Sequence, residues 1–226
     1  MYRILPRPPT CYSSHRDRIL LHISGNRSYA PKHLLRVTDA TSRHPERDVL
    51  VLLLGFTCGM RVSEIAQIET ADVLLPSGRL REEVSLRSAI TKGSKARCVY
   101  LSHPKTVAAI ERYIEWRWKR GKATALDRSK WQGLMPKVPL ILTHKGTRYE
   151  LSVKRRVNYD GEVVDYLAAD SLQNYVTGLY RAAGFGRGFS SHSGPYASEG
   201  NVIFDVSHGS LLRRKPLSMV RKQQRC

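Results

Sequence analysis

The chain has 226 residues, and its four cysteines, Cys11, Cys58, Cys98 and Cys226, are scattered without C-x-x-C spacing. That length supports one ordinary domain with its own core, and the spacing indicates neither a disulfide framework nor a zinc site. The longest apolar run, residues 49–56, falls far short of the roughly 20 residues that cross a bilayer. Residues 1–23 lack the continuous apolar core of a secretory leader, so a reducing cytoplasmic location and no membrane partner are expected. Lysine and arginine number 38 against 19 acids, a formal charge of +19. Such an excess favours a polyanionic partner, with duplex DNA first, over a merely solvated basic face.

Residues 1–30 carry Pro6, Pro8, Pro9, Gly25 and several arginines, and predict a poorly ordered N-terminal segment. Order is expected from about Pro31, with a helix over residues 33–41 and a helix-start signal at residues 45–48. Residues 49–68, VLVLLLGFTCGMRVSEIAQI, then read as two helices meeting at a turn. The apolar run fills the first, and Val62, Ile65, Ala66 and Ile68 mark a buried face of the second. Gly55 and Gly59 lie between them, Arg61 stands at the corner, and Glu64 falls in the first turn, where free amides favour a carboxylate. An arginine planted rigidly there can grip a phosphate bidentately; paired with Glu64, it can equally do structural work alone.

From Glu83 the period changes to two. Val84, Leu86, Ser88 and Ile90 point one way, K-G-S-K turns the chain, and Val99 and Leu101 return, which predicts a hairpin with Lys92, Lys95 and Arg97 about its tip. Such a tip is either an exposed basic turn or a reach into a nucleic-acid groove. A helix follows over about residues 105–120, with Val107, Ile110, Ile114 and Trp118 on one face. Residues 121–137 and 155–161 read as loops, 140–143 as a brief apolar segment and 144–148 as a basic turn. A last helix is expected over residues 171–183, capped by Asp170 and stopped by Gly184. The sum is a mainly α chain with a small antiparallel β-hairpin, an α+β class.

Three stretches carry a resemblance. T-C-G-M-R-V-S-E-I, residues 57–65, resembles the first catalytic box of the tyrosine recombinase (phage integrase) family, with Cys58 standing between the box threonine and glycine. I-T-K-G-S-K-A-R-C-V-Y-L, residues 90–101, is similar to the family's lysine-bearing hairpin, and F-S-S-H-S-G, residues 189–194, to its histidine box. The resemblance implies a recombinase catalytic-domain-like fold. It also implies Arg61 and His192 as donors to the scissile phosphate, Lys92 as general acid toward the leaving 5′ oxygen, Glu64 as support and Lys95 and Arg97 as DNA contacts. In an intact member a tyrosine attacks the phosphate and stores its bond energy in a 3′-phosphotyrosyl link, without metal or cofactor.

The pattern then breaks. Pro195 stands where the family has its second arginine, and proline offers no donor. Only Tyr196 follows His192, too close to it for the family's nucleophile. The organisation expected is therefore a segment at 1–30, a recombinase catalytic-like domain at 31–194 and a basic, divergent tail at 195–226, as a frameshift or truncation would leave. The expected function is DNA binding by a recombinase that is inactive alone, unless an intact recombinase protomer supplies its tyrosine in trans. The alternatives are a non-catalytic accessory or regulatory protein competing for recombination sites, and a basic RNA-binding protein.

Overall fold

Helix α1 (Tyr29–Thr41) is the first described element and packs on α2 (Pro45–Cys58), which α5 (Pro104–Lys119) flanks as well. The computed structural model describes residues 29–91, 96–157, 161–186, 189, 202–204 and 211–213. Short helices α3 (Val62–Gln67) and α4 (Thr70–Val73) follow α2, and α6 (Asp170–Ala182) packs against both α1 and α3. Strands β1 (Glu83–Leu86) and β2 (Arg97–Tyr100) form one antiparallel pair, with Val84 opposite Val99 and Leu86 opposite Arg97. Strands β3 (Ser152–Val157) and β4 (Val163–Ala168) form a second, and a third joins β5 (Val202–Phe204) to β6 (Leu211–Arg213). The chain is thus mainly helical with small antiparallel sheets, the class its patterning predicts.

The apolar run makes α2 the central helix. Residues Leu50 to Leu54 are all buried, and with Ile65, Ile68, Val84, Val99, Ile110, Ile114, Leu172 and Phe185 they belong to one continuous core. Pro45 begins α2, where its missing N–H costs nothing, and Gly59 ends it at φ 62°, ψ 29°, a left-handed conformation that glycine adopts without strain. The Met60 N–H then returns to the Leu54 carbonyl at 3.2 Å, which closes the end of the helix and aims the chain into α3.

A buried polar knot ties α2 to α6. Asp48, fully buried, accepts from Arg47 Nε at 2.8 Å, from the Tyr175 hydroxyl at 2.7 Å and from the Ser42 hydroxyl. The Arg47 guanidinium lies 4.6 Å from the centre of the Tyr175 ring, so the charge sits over the ring while both side chains donate to Asp48. Burial is the main cause that pushes the Tyr175 phenol upward, with Asp48 adding to it.

The departures from expectation have local causes. Helix α1 begins at Tyr29, ahead of both residue 33 and the boundary at Pro31. Strand β1 ends at Leu86, and Ser88–Ile90 is a 3-10 turn with Ile90 buried, since Arg97 is already the partner of Leu86 and nothing remains to pair. Of residues 155–161, expected as a loop, Arg155 to Val157 are the end of strand β3. Asp170 does not cap α6; Ala169 holds that position, and the Asp170 carboxylate takes the Ser152 hydroxyl at 2.6 Å and the Lys154 ammonium at 2.7 Å. The buried face of α5 carries Ala109, Ile110, Tyr113, Ile114 and Arg117, whereas Val107 and Trp118 are only half-buried. Cys98 is disulfide-bonded, against the unpaired set its spacing suggested, and Cys58 is a free thiol. Among the described residues no helix is long and apolar enough to cross a membrane.

Candidate nucleic-acid interface

The corner between α2 and α3 is built around one buried carboxylate. Glu64, in the first turn of α3, has a side chain 0% exposed and accepts from the Arg61 backbone N–H at 2.7 Å. That is the carboxylate half of a capping box; the other half cannot operate, because a guanidinium has no acceptor to offer the N3 amide. The same carboxylate takes Arg61 NH1 at 3.0 Å and two donors of Arg97, with Nε at 3.2 Å. Arg97 NH2 also donates to the Gly59 carbonyl at 3.0 Å, and so holds the last turn of α2 as well.

One negative charge therefore faces two positive ones, and the cluster keeps a net charge of +1. That surplus is not shared evenly. The Arg97 side chain is 34% exposed with its donors turned inward, while the Arg61 side chain is 53% exposed and, among the described residues, only NH1 is engaged. The remaining Arg61 donors project from a base that cannot rotate freely, the arrangement that suits a bidentate phosphate contact. Thr57 fixes the same corner from the other side, donating to the Leu53 carbonyl at 2.8 Å and meeting the Thr106 hydroxyl of α5 at 2.7 Å.

Cys58, the extra residue of the motif, is not set up as a nucleophile. Burial pushes its thiol upward and outweighs the Thr57 hydroxyl beside it, so the thiolate is scarce at neutral pH.

Of the residues read from sequence, the structure brings together Arg61, Glu64 and Arg97. Lys92, Lys95 and His192, as well as Pro195 and Tyr196, lie outside the described residues. The approach to His192 is described as far as Phe189, whose ring centre is 4.9 Å from that of Phe185 and stacks on Tyr180 at 6.4 Å. Phe185 meets the His33 ring at 5.9 Å, and His33 Nε2 bonds the Ala183 carbonyl at 3.0 Å, which seats this end of α6 on α1. The link from Arg97 to Glu64 was missed in the sequence, since the two are 33 residues apart and no local pattern joins them.

The model of the phage integrase family matches residues 29–135, which include the Thr57–Ile65 motif, the β1–β2 hairpin and α5. Residues 29–135 belong to the phage integrase family. Within this integrase segment, the motif glycine is the left-handed stop of α2 and the motif glutamate is the buried anchor of Arg61. A solved structure, the crystal structure of XerA recombinase, is similar to the chain with 17% identity and a TM-score of 0.45. The match covers 83% of this chain and 48% of that one, so the chain spans about half its length. No curated protein matches the chain.

Proposed function

We propose that this integrase-family chain binds duplex DNA through the α2–α3 corner and the basic hairpin beside it, and does not cleave the strand it holds. The observation that carries the reading is the clamp itself: a buried Glu64 shared by two arginines, with the surplus charge presented outward on Arg61. Lys92 and Lys95, between β1 and Arg97 in the sequence, add two positive charges to the same stretch of chain. Arg97 serves chiefly to hold Glu64 and Gly59, and Glu64 supports Arg61 rather than taking part in chemistry.

Pro195, which stands where the family has its second arginine and offers no donor, supports binding without a phosphotyrosyl step. Removing even one preorganised donor from such a site typically costs on the order of a hundredfold in rate. A chain of this kind occupies recombination sites in competition with an intact enzyme, unless such a protomer lends its tyrosine.

The test is fluorescence anisotropy of a labelled duplex titrated at several salt concentrations. Affinity falls steeply with salt, and Arg61→Ala weakens binding by about tenfold and lowers the slope of log K against log salt by about one. Arg87→Ala, which removes an exposed arginine already paired with Glu69 and Asp72, has a much smaller effect. Equal affinities for wild type and Arg61→Ala would defeat this assignment of the interface.

A further inference from the structure

A cleft of about 450 Å³ lies in the face formed by α1, α2 and α5, and neither Arg61, Glu64 nor Arg97 lines it. Its floor is apolar: Leu35 from α1, Val49 and Leu53 from α2, and Ala109 from α5, with Ala108 on the wall beside them. Its rim is basic, with Lys32 and Arg36 on one wall and Lys105 on the other, all three exposed. Arg112 joins the two walls by donating to Asp39 across the helices at 2.9 Å. That pair is internally neutral. Lys32, Arg36 and Lys105 therefore set the charge of the groove, and none of them has a carboxylate partner among the described residues.

Charge decides what such a groove can take. Residues 1–28 carry five arginines and one acid, Asp17, and residues 187–226 carry seven basic residues against Glu199 and Asp205. Either segment would set cations against cations, and a second copy of a chain with net charge +19 is opposed for the same reason. DNA fits the charge but not the floor, because phosphates are held by donors and gain nothing from leucine and valine. We infer that the α1–α2–α5 groove is a docking site for an acidic amphipathic helix of a partner protein. The helix would lay its apolar stripe on Leu35, Val49 and Leu53, with carboxylates flanking the stripe against Lys32, Arg36 and Lys105. An amphipathic helix that lays one apolar stripe in an apolar groove is a recurring mode of peptide recognition.

The probe is a synthetic peptide with leucines at i, i+4, i+7 and i+11 and glutamates on both flanks of that stripe, labelled and titrated with the full chain. The expected result is saturable binding that is lost when the leucines are replaced by serine at unchanged charge. Combining Arg36→Glu with Lys105→Glu weakens it by about tenfold. Ala108→Trp, at an exposed position on the groove wall, weakens it without changing the charge. Circular dichroism melts of the variants show that the fold is intact, and duplex-DNA affinity is measured on the same samples. Three results would overturn the proposal: no binding of the leucine peptide, equal binding of the serine peptide, or a parallel loss of DNA affinity in Ala108→Trp. The last would assign the groove to the DNA-binding surface. Loss of DNA binding confined to Arg61→Ala leaves the groove unaffected, so the two readings fail separately.

Discussion

Glu64→Gln lowers the stability of the chain by about 3 kcal/mol, the lower end of what breaking a buried ion pair costs, because half-exposed Arg61 and Arg97 are partly rescued by water. For a chain of this size that corresponds to a fall in Tm of about 6–12 °C, read by calorimetry or circular dichroism. Glutamine keeps the volume of the side chain and one acceptor. It places an amide donor against a guanidinium and removes the charge that holds two cations at one corner. Glu64→Ala costs more, since the helix end also loses the acceptor for the Arg61 N–H. A Glu64→Gln protein within about 0.5 kcal/mol of wild type, the range of an ordinary surface substitution, would mean that packing and not charge fixes Arg61.

The second large effect is expected at Arg117. This side chain is fully buried, and among the described residues its donors go to backbone carbonyls and to no acid. Nε donates to the Lys122 carbonyl at 3.1 Å, NH1 to the carbonyls of Pro139 and Leu140 at 3.1 and 3.0 Å, and NH2 to that of Ala123 at 3.3 Å. The guanidinium thereby ties α5 to both ends of the irregular stretch from 121 to 141. That stretch is pinned to α3 and α4 in turn, by the Leu140 N–H on the Ile68 carbonyl at 2.7 Å and the Thr70 N–H on the Val138 carbonyl at 3.0 Å. Burial draws the Arg117 pKa downward, as it must for a cation held without a counter-charge.

Arg117→Leu removes the donors and leaves up to four buried carbonyls unanswered, at about 1–3 kcal/mol for each that finds no water. A loss of at least about 3 kcal/mol follows, together with faster amide exchange through residues 121–141. Arg117→Lys does not rescue it, because a compact ammonium cannot span the fork of a planar guanidinium. Unchanged exchange in that stretch would contradict the role given to Arg117.

The legibility of these two sites differs for a physical reason. The α2–α3 corner was readable because its determinants are local: an unbroken apolar run, a glycine where φ must be positive, and an arginine three residues ahead of the glutamate that caps it. Arg97 was readable as basic but not as inward-facing, since its partner is set by how β2 lies against α3 and not by neighbours in sequence. Arg117 carried a signal that went unused. Residues 110, 113, 114 and 117 keep helical spacing on one buried face, but an arginine in the last place reads as the polar edge of the stripe.

The β3–β4 hairpin shows the opposite failure. Val153, Arg155 and Val157 alternate as a strand should, yet Val153 and Val157 stay exposed, at 69% and 66%, and Arg155 pairs across the strands with Asp165. With no face committed to the core, hydrophobic alternation loses the meaning it has in a half-buried strand. Three consecutive charges, Lys154, Arg155 and Arg156, make the segment look like a loop. Asp48 was hidden in the same sense: an acid in the first turn of α2 suggests a dipole contact at the surface, whereas Tyr175, 127 residues away, takes it into the core.

The proposal that the chain, whose residues 29–135 match the phage integrase family, holds duplex DNA on Arg61 without forming a bond to it is open to a direct check in a covalent-trapping assay. The purified chain is incubated with labelled, nicked duplexes of randomised sequence, in which any cleaved strand loses the end needed for religation, and is then run on a denaturing gel. The account predicts salt-sensitive retention before denaturation and free DNA after it, for wild type and for Tyr196→Phe alike. A denaturation-resistant protein–DNA band that disappears in Tyr196→Phe would contradict it, and would make that tyrosine a nucleophile.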